Sequence, residues 1–160
     1  MTNYAGKMPD SQFVSLISTA PFASGSAREV FDVPSDPSVV IKRGRNIYPG
    51  SNMVEWIIWS AIKTSPLAAT FGECRSISET GQYLMMERLD DLAQSDLADI
   101  PRIPVWTNDR KPNAFGKAGG RIKLRDYGMV YLPDLLRLDC EPAAIQITAL
   151  NNRQRGLPGW

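Results

Sequence analysis

Histidine is absent from this chain of 160 residues. That absence removes Ser-His-Asp and Cys-His hydrolases, histidine metal sites and imidazole acid–base work together. Proton transfer is left to a carboxylate, a lysine or water. Cysteine is scarce: Cys74 and Cys140 are the only two. They are too few for a metal cluster unaided or for a disulfide framework, and two reduced thiols in a cytoplasmic protein are expected. Charge of one sign is lacking as well. Eighteen Lys and Arg stand against seventeen Asp and Glu, a formal charge of +1, so nothing global points to nucleic acid or an anionic membrane. Long apolar runs are missing too. The longest, Val54-Glu55-Trp56-Ile57-Ile58-Trp59, carries a charge and is too short to span a bilayer. The polar first ten residues lack the apolar stretch of a secretory signal.

What is present fits one ordinary α+β domain. Hydrophobic residues make up 43% and charged residues 22%, so the chain can bury a core and wholesale disorder is excluded. Gln12–Ile17, Arg28–Val33 and Ser38–Lys42 read as strands joined by the turns Ala23-Ser24-Gly25-Ser26 and Pro34-Ser35-Asp36-Pro37, an antiparallel meander. Periodicity then switches. Ser51 or Asn52 is a plausible N-cap for a helix over Met53–Lys63, with Val54, Ile57, Ile58, Ala61 and Ile62 as its apolar face and Glu55 off the centre of that stripe. Further strands are expected at Phe71–Arg75, Gln82–Glu87 and Arg121–Leu124. A short helix capped by Asp90 should run through Leu97, and Asn108–Gly120 reads as loop. The segment from Leu132 to Leu150 has two weak helical stretches, broken by Pro142.

Five fragments carry chemistry, and their order gives them weight. A small-residue turn, Ser24-Gly25-Ser26, sits between strands where backbone N–H groups can approach phosphate oxygens; an ordinary hairpin has the same composition. In the template G-x-G-x-x-G-x-V only Gly25 holds a glycine position, Ala23 and Arg28 replace the outer glycines, and Val30 keeps the valine that would cover a flat base. Lys42 ends the β-branched run Val39-Val40-Ile41 and can neutralise α- and β-phosphates if a carboxylate fixes its ammonium. Glu55, thirteen residues on, is the candidate partner. The alternative is a solvated strand-end lysine and a first-turn glutamate favoured by the helix dipole. Asn113 and Asp126 offer the hard oxygens that magnesium takes from protein, although Asp126-Tyr127-Gly128 also reads as a common turn. Trp56, Trp59, Trp106 and Trp160 suit either an interface or a core.

In this order and spacing the fragments resemble a protein kinase of the eukaryotic-like fold, reduced to near its minimum, of a kind associated with bacteriophage genomes. The similarity runs from about Leu16 to Val130. It implies an antiparallel N-lobe sheet with one αC-type helix and a strongly reduced C-lobe, all in one kinase-like domain over 1–160. N-lobe and hinge would occupy about 11–89 and the truncated C-lobe 90–160. It implies ATP and Mg²⁺ as cofactors, a strand–helix ion pair between Lys42 and Glu55, and Asp126 as the metal-binding aspartate, with Tyr127 replacing a phenylalanine. Tyr83–Leu89 resembles the hinge: Met86 would be the gatekeeper, and the backbone of Glu87 and Leu89 would hold adenine. The acceptor would be a hydroxyl on a protein or a small molecule; a host or partner protein is the other implied partner.

The departures are specific. The loop template H-R-D-L-x-x-x-N meets Trp106-Thr107-Asn108-Asp109-Arg110-Lys111-Pro112-Asn113, with neither His nor Arg before the aspartate. Asp109 and Lys111 keep the D-x-K relation expected of catalytic residues, while Asn113 follows Asp109 by four residues instead of five. Counted back from Asn113, the base position falls on Asn108, whose amide cannot accept a proton. An inactive, partner-binding protein is therefore the alternative reading.

Overall fold

The computed structural model describes residues 4, 6–45, 50–104, 106–109 and 111–130. The expected helices over 132–150, together with Cys140 and Trp160, lie outside the described residues. The architecture is mixed α+β, with a mostly antiparallel sheet and few helices. The described residues form two compact units: one comprises those up to 68 and 72–88, the other 69–71 and those from 89 to 130.

The first unit holds a six-stranded sheet. Its strands are β1 (Lys7–Met8), β2 (Ala23–Ser24), β3 (Arg28–Asp32), β4 (Val39–Gly44), β5 (Cys74–Ser78) and β6 (Tyr83–Glu87), in the order β1-β5-β6-β4-β3-β2. Only β1 and β5 pair in parallel. β2, β3 and β4 form the expected meander, but its first strand is the short Ala23–Ser24 and not Gln12–Ile17. Residues Asp10–Leu16 form helix α1 instead. The physical reason is visible in the spacing: Phe13, Leu16 and Ile17 recur at i, i+3 and i+4, which puts them on one helical face. That face covers the sheet. Phe13 is fully buried and stacks on Tyr83 at 5.7 Å, within a cluster of Met8, Val33, Val39, Ile41 and Met85. Val14, which made the segment look strand-like, is 54% exposed.

Strand register sorts the remaining side chains. Residues directly opposite share a face in an antiparallel pair, and Lys42 lies across from Val30 on β3 and Leu84 on β6, with Val40 across from Met86. Val30, Lys42, Leu84 and Met86 therefore occupy the face opposite the Phe13 cluster. Helix α2 (Gly50–Ile62) packs against β4, β5 and β6. Its buried residues are Asn52, Glu55, Ile58 and Ile62, whereas Ile57 is 59% exposed. The inward stripe thus has polar members, and Glu55 lies on it and not beside it. Asn52 lies within the helix and is not its cap.

In the second unit, β7 (Phe115–Ala118) and β8 (Arg121–Leu124) form a hairpin closed by Gly119-Gly120, with φ of 55° and 76°. Both turn residues need positive φ, which glycine supplies without steric cost. The expected loop over Asn108–Gly120 is therefore partly a 3₁₀ turn at Pro112–Ala114 and a strand. The expected helix after Asp90 is a 3₁₀ turn at Gln94–Asp99, opened by the Asp96 carboxylate accepting from the Ala93 N–H at 2.9 Å. Asp90 instead exchanges two backbone hydrogen bonds with Lys117, both 2.9 Å. The core of this unit is aromatic. Phe71 stacks on Trp106 at 5.8 Å and meets Tyr127 edge-on at 5.0 Å, and all three are buried. Trp106 is thus core, and Phe71 precedes β5 without joining it.

Candidate functional site

In the first unit, strand β4 carries Lys42 inward and helix α2 brings Glu55 to meet it. The lysine Nζ lies 3.1 Å from Glu55 Oε1 and 3.0 Å from Oε2. The side chains are 8% and 0% exposed. A solvated lysine and a first-turn surface glutamate are therefore excluded. A buried ion pair holds its place only when hydrogen bonds satisfy the remaining atoms of both groups, and further donors supply them here. Arg28, at the start of β3, donates from Nη2 to Glu55 Oε1 at 3.0 Å and approaches Oε2 with Nη1 at 2.8 Å. Nη1 also donates to Asn52 Oδ1 at 3.3 Å. The Asn52 amide, in turn, donates to the carbonyls of Lys42 at 3.2 Å and Gln82 at 2.8 Å.

Arg28 and Asn52 are the functional candidates that sequence reasoning missed. A signal for Arg28 was present. It alternates with Val30 on the strand whose neighbour carries Lys42, so period two already put it on the same face. No comparable signal marks Asn52, because an asparagine near a helix start ordinarily reads as a cap.

The turn Ser24-Gly25-Ser26 is a hairpin, closed by Gly25 N–H donating to the Arg28 carbonyl at 2.8 Å. All three residues are exposed. Gly25 lies outside the left-handed region, and a Cβ there would meet nothing nearer than that carbonyl at 3.8 Å. The fold itself does not require the glycine. Met86 is buried on the Lys42 face. Glu87 is tied to the preceding strand: its N–H donates to the Glu73 carbonyl at 2.8 Å, and its carboxylate accepts from the Glu73 N–H at 3.2 Å.

The second unit gathers the remaining candidates by backbone contacts. The Ala114 carbonyl accepts from Arg125 N–H at 2.7 Å and from Asp126 N–H at 3.2 Å, and Arg125 Nε donates to the Asn113 carbonyl at 2.9 Å. Asn113 and Asp126 are thereby brought onto adjoining backbone, thirteen residues apart in sequence. Arg125 also donates to the Leu89 carbonyl at 3.2 Å and pairs with Asp91 at 2.7 Å. Asn108 N–H donates to the Met129 carbonyl at 3.1 Å, and Thr107 bridges Val130, so the 107–109 segment runs beside the residues that follow Asp126. Asp109 Oδ1 accepts from Lys111 N–H at 3.3 Å. The Lys111 and Asn113 side chains are exposed, and Asp109 and Asp126 are half-buried.

Hard oxygens from an amide and a carboxylate suit magnesium, which usually takes one or two protein ligands and keeps its waters. Among the described residues no group of three acidic or cysteine side chains could hold a metal by itself. Nor is any helix among them long and apolar enough to cross a membrane.

No family model matches the chain, and no curated protein matches it. Among solved structures, the ternary complex of streptomycin, ATP and APH(2")-IIa is similar at 13% identity, with a TM-score of 0.40, over 59% of this chain and 33% of that one. The chain thus spans about a third of that structure's length, and a likeness of this degree carries no argument about fold or activity.

Proposed function

We propose that the chain binds magnesium-ATP and transfers its γ-phosphoryl group to a hydroxyl on a protein or small acceptor. The observation that carries this reading is the buried Lys42–Glu55 pair, with both carboxylate oxygens within 3.1 Å of the ammonium. Burying an ion pair costs stability that an apolar pair of similar volume would not. A strand lysine held in this way is what α- and β-phosphates require.

The other residues take roles that follow from their chemistry. Ser24 and Ser26 would offer backbone N–H groups to phosphate oxygens, with no side chain at Gly25 to obstruct them. Val30 and Met86 share the Lys42 face and would flank the base, with the backbone of Glu87 and Leu89 accepting from and donating to its edge. Asn113 and Asp126 would hold the magnesium ion, which neutralises phosphate charge when bound. In the reaction the acceptor oxygen attacks the γ-phosphorus. The bond from that phosphorus to the β–γ bridging oxygen breaks, and ADP leaves with the bond's electron pair. The acceptor proton passes to the Asp109 carboxylate, and Lys111 offsets the charge on the transferred group. Positioning and charge stabilisation account for most of such catalysis, so few polar groups suffice.

A second reading has its own observation. Asp109 Oδ1 already accepts from the Lys111 N–H, and Asn108 occupies the base position when the loop is counted back from Asn113. On that reading the chain is an inactive kinase-like protein that binds and modulates a partner protein.

Millimolar magnesium-ATP is expected to raise the melting temperature of the unsubstituted chain, and Asp126→Ala to abolish that rise. No rise in the unsubstituted chain would refute nucleotide binding. Incubation with lysate and γ-labelled ATP separates the two readings. Label transfer that Asp109→Asn abolishes supports catalysis; ATP binding with no transfer supports the inactive protein. Transfer from α-labelled ATP would indicate nucleotidylation and overturn both.

A further inference from the structure

Arg28 lies outside the residues assigned above to the nucleotide, yet it contacts the same carboxylate as Lys42. Each oxygen of Glu55 receives both cations: Oε1 has Arg28 Nη2 at 3.0 Å and Lys42 Nζ at 3.1 Å, and Oε2 has Arg28 Nη1 at 2.8 Å and Lys42 Nζ at 3.0 Å. The two cations differ in kind. A guanidinium presents a planar fork that grips a carboxylate at two points, whereas an ammonium is a point charge on a rotatable stem. Asn52 steadies the fork through Nη1, and its own amide is fixed by two backbone carbonyls. Across the sheet from Arg28 stands Gly44, which has no side chain to compete for that space.

We infer that Arg28 is a positioning residue for nucleotide binding: it holds the Glu55 carboxylate and keeps it compensated when the Lys42 ammonium turns to an anionic phosphate. The inference rests on the reading of Lys42 as a phosphate-binding residue. Its physical basis is the cost of removing one partner from a buried ion pair, which strands the other charge in a medium of low polarity. A lone lysine–glutamate pair would meet that cost whenever phosphate drew the lysine away. With Arg28 in place, Glu55 keeps a two-point partner and Lys42 can serve the phosphate.

The test is calorimetric titration of magnesium-ATP onto the unsubstituted chain, Arg28→Met and Arg28→Lys. Arg28→Met is expected to lose affinity on the order of tenfold or more, the size of a coupling between contacting residues. Arg28→Lys should fall between the two, and it serves as the test if the methionine variant does not fold. In a Glu55→Gln background the Arg28 substitution should cost less than about twofold, because a neutral amide needs no counter-charge. Affinity within about twofold of the unsubstituted chain overturns the inference. So does an equal affinity loss in the Glu55→Gln background, which would mark Arg28 as a structural residue only. If the unsubstituted chain fails to bind magnesium-ATP at all, the nucleotide reading falls and the inference with it; binding that ignores Arg28 overturns the inference alone.

Discussion

The two units hold their polar candidates in different ways. In the first, Arg28 and Lys42 are buried side chains that both bond the buried carboxylate of Glu55. In the second, Asp109, Asn113 and Asp126 are half-buried or exposed, and what places them is the hydrogen bonding of the backbone around them. The first arrangement fixes charges at the cost of desolvation, so loss of one member is felt throughout the unit. The second leaves Asn113 exposed and Asp109 and Asp126 half-buried, and concentrates the structural demand on the carbonyls of Asn113, Ala114 and Leu89.

The largest expected effect breaks this contrast at its centre. Glu55→Ala removes the carboxylate that Arg28 and Lys42 share and should cost about 3–5 kcal/mol of unfolding free energy. Asp126→Ala, at a half-buried site, should cost less than about 1 kcal/mol. Chemical denaturation of the two variants measures the difference; equal losses would show that the first unit is not held by its buried ions.

A second experiment sharpens the view that the other unit is held by its backbone. A Cβ on Gly116 would lie 2.6 Å from Leu89 Cβ and 2.9 Å from the Asp90 carbonyl oxygen. Gly116→Ala must therefore push the hairpin off the segment that Lys117 pairs with, costing about 1–3 kcal/mol. Faster amide exchange at Asp90 and Lys117 in that variant would report the displacement, and unchanged exchange would refute it.

The smallest effect concerns pH. The Lys117 ammonium, and then the Ala93 N–H, hold the half-buried Asp96 carboxyl below its ordinary pKa. A carboxyl whose folded pKa is depressed contributes stability above its unfolded value, and that contribution fades as pH falls through the folded value. Asp96→Asn should therefore lower stability slightly at neutral pH and flatten the further loss as pH falls through the carboxylate range. Thermal melts from pH 7 to about pH 3 read this directly.

Much of the sheet was legible because strands β3, β4, β6 and β8 alternate or are rich in β-branched and aromatic residues. Helix α1 was not, since Val14 and Ile17 favour a strand by composition while Phe13, Leu16 and Ile17 fit a helix by spacing. Burial of Phe13 against Tyr83 decided between them. The hairpin at Gly119-Gly120 carried a clear signal that went unused: two glycines between short runs make a turn of positive φ. Trp106 gave no such signal. A tryptophan serves a core and an interface equally well, and only its packing on Phe71 made it core.

The sequence by itself determined that a buried strand carries a lysine, that a helix carrying a glutamate follows, and that no imidazole is available for proton transfer. These depend on residue identity and on periods of two and 3.6, which are local properties. Tertiary structure alone decided that Glu55 faces inward, that Arg28 shares its carboxylate, and that Asn113 and Asp126 lie on adjoining backbone. Those outcomes depend on which distant segments pair and pack. A helix with apolar residues on several sides can bury any of them until the sheet against it fixes one.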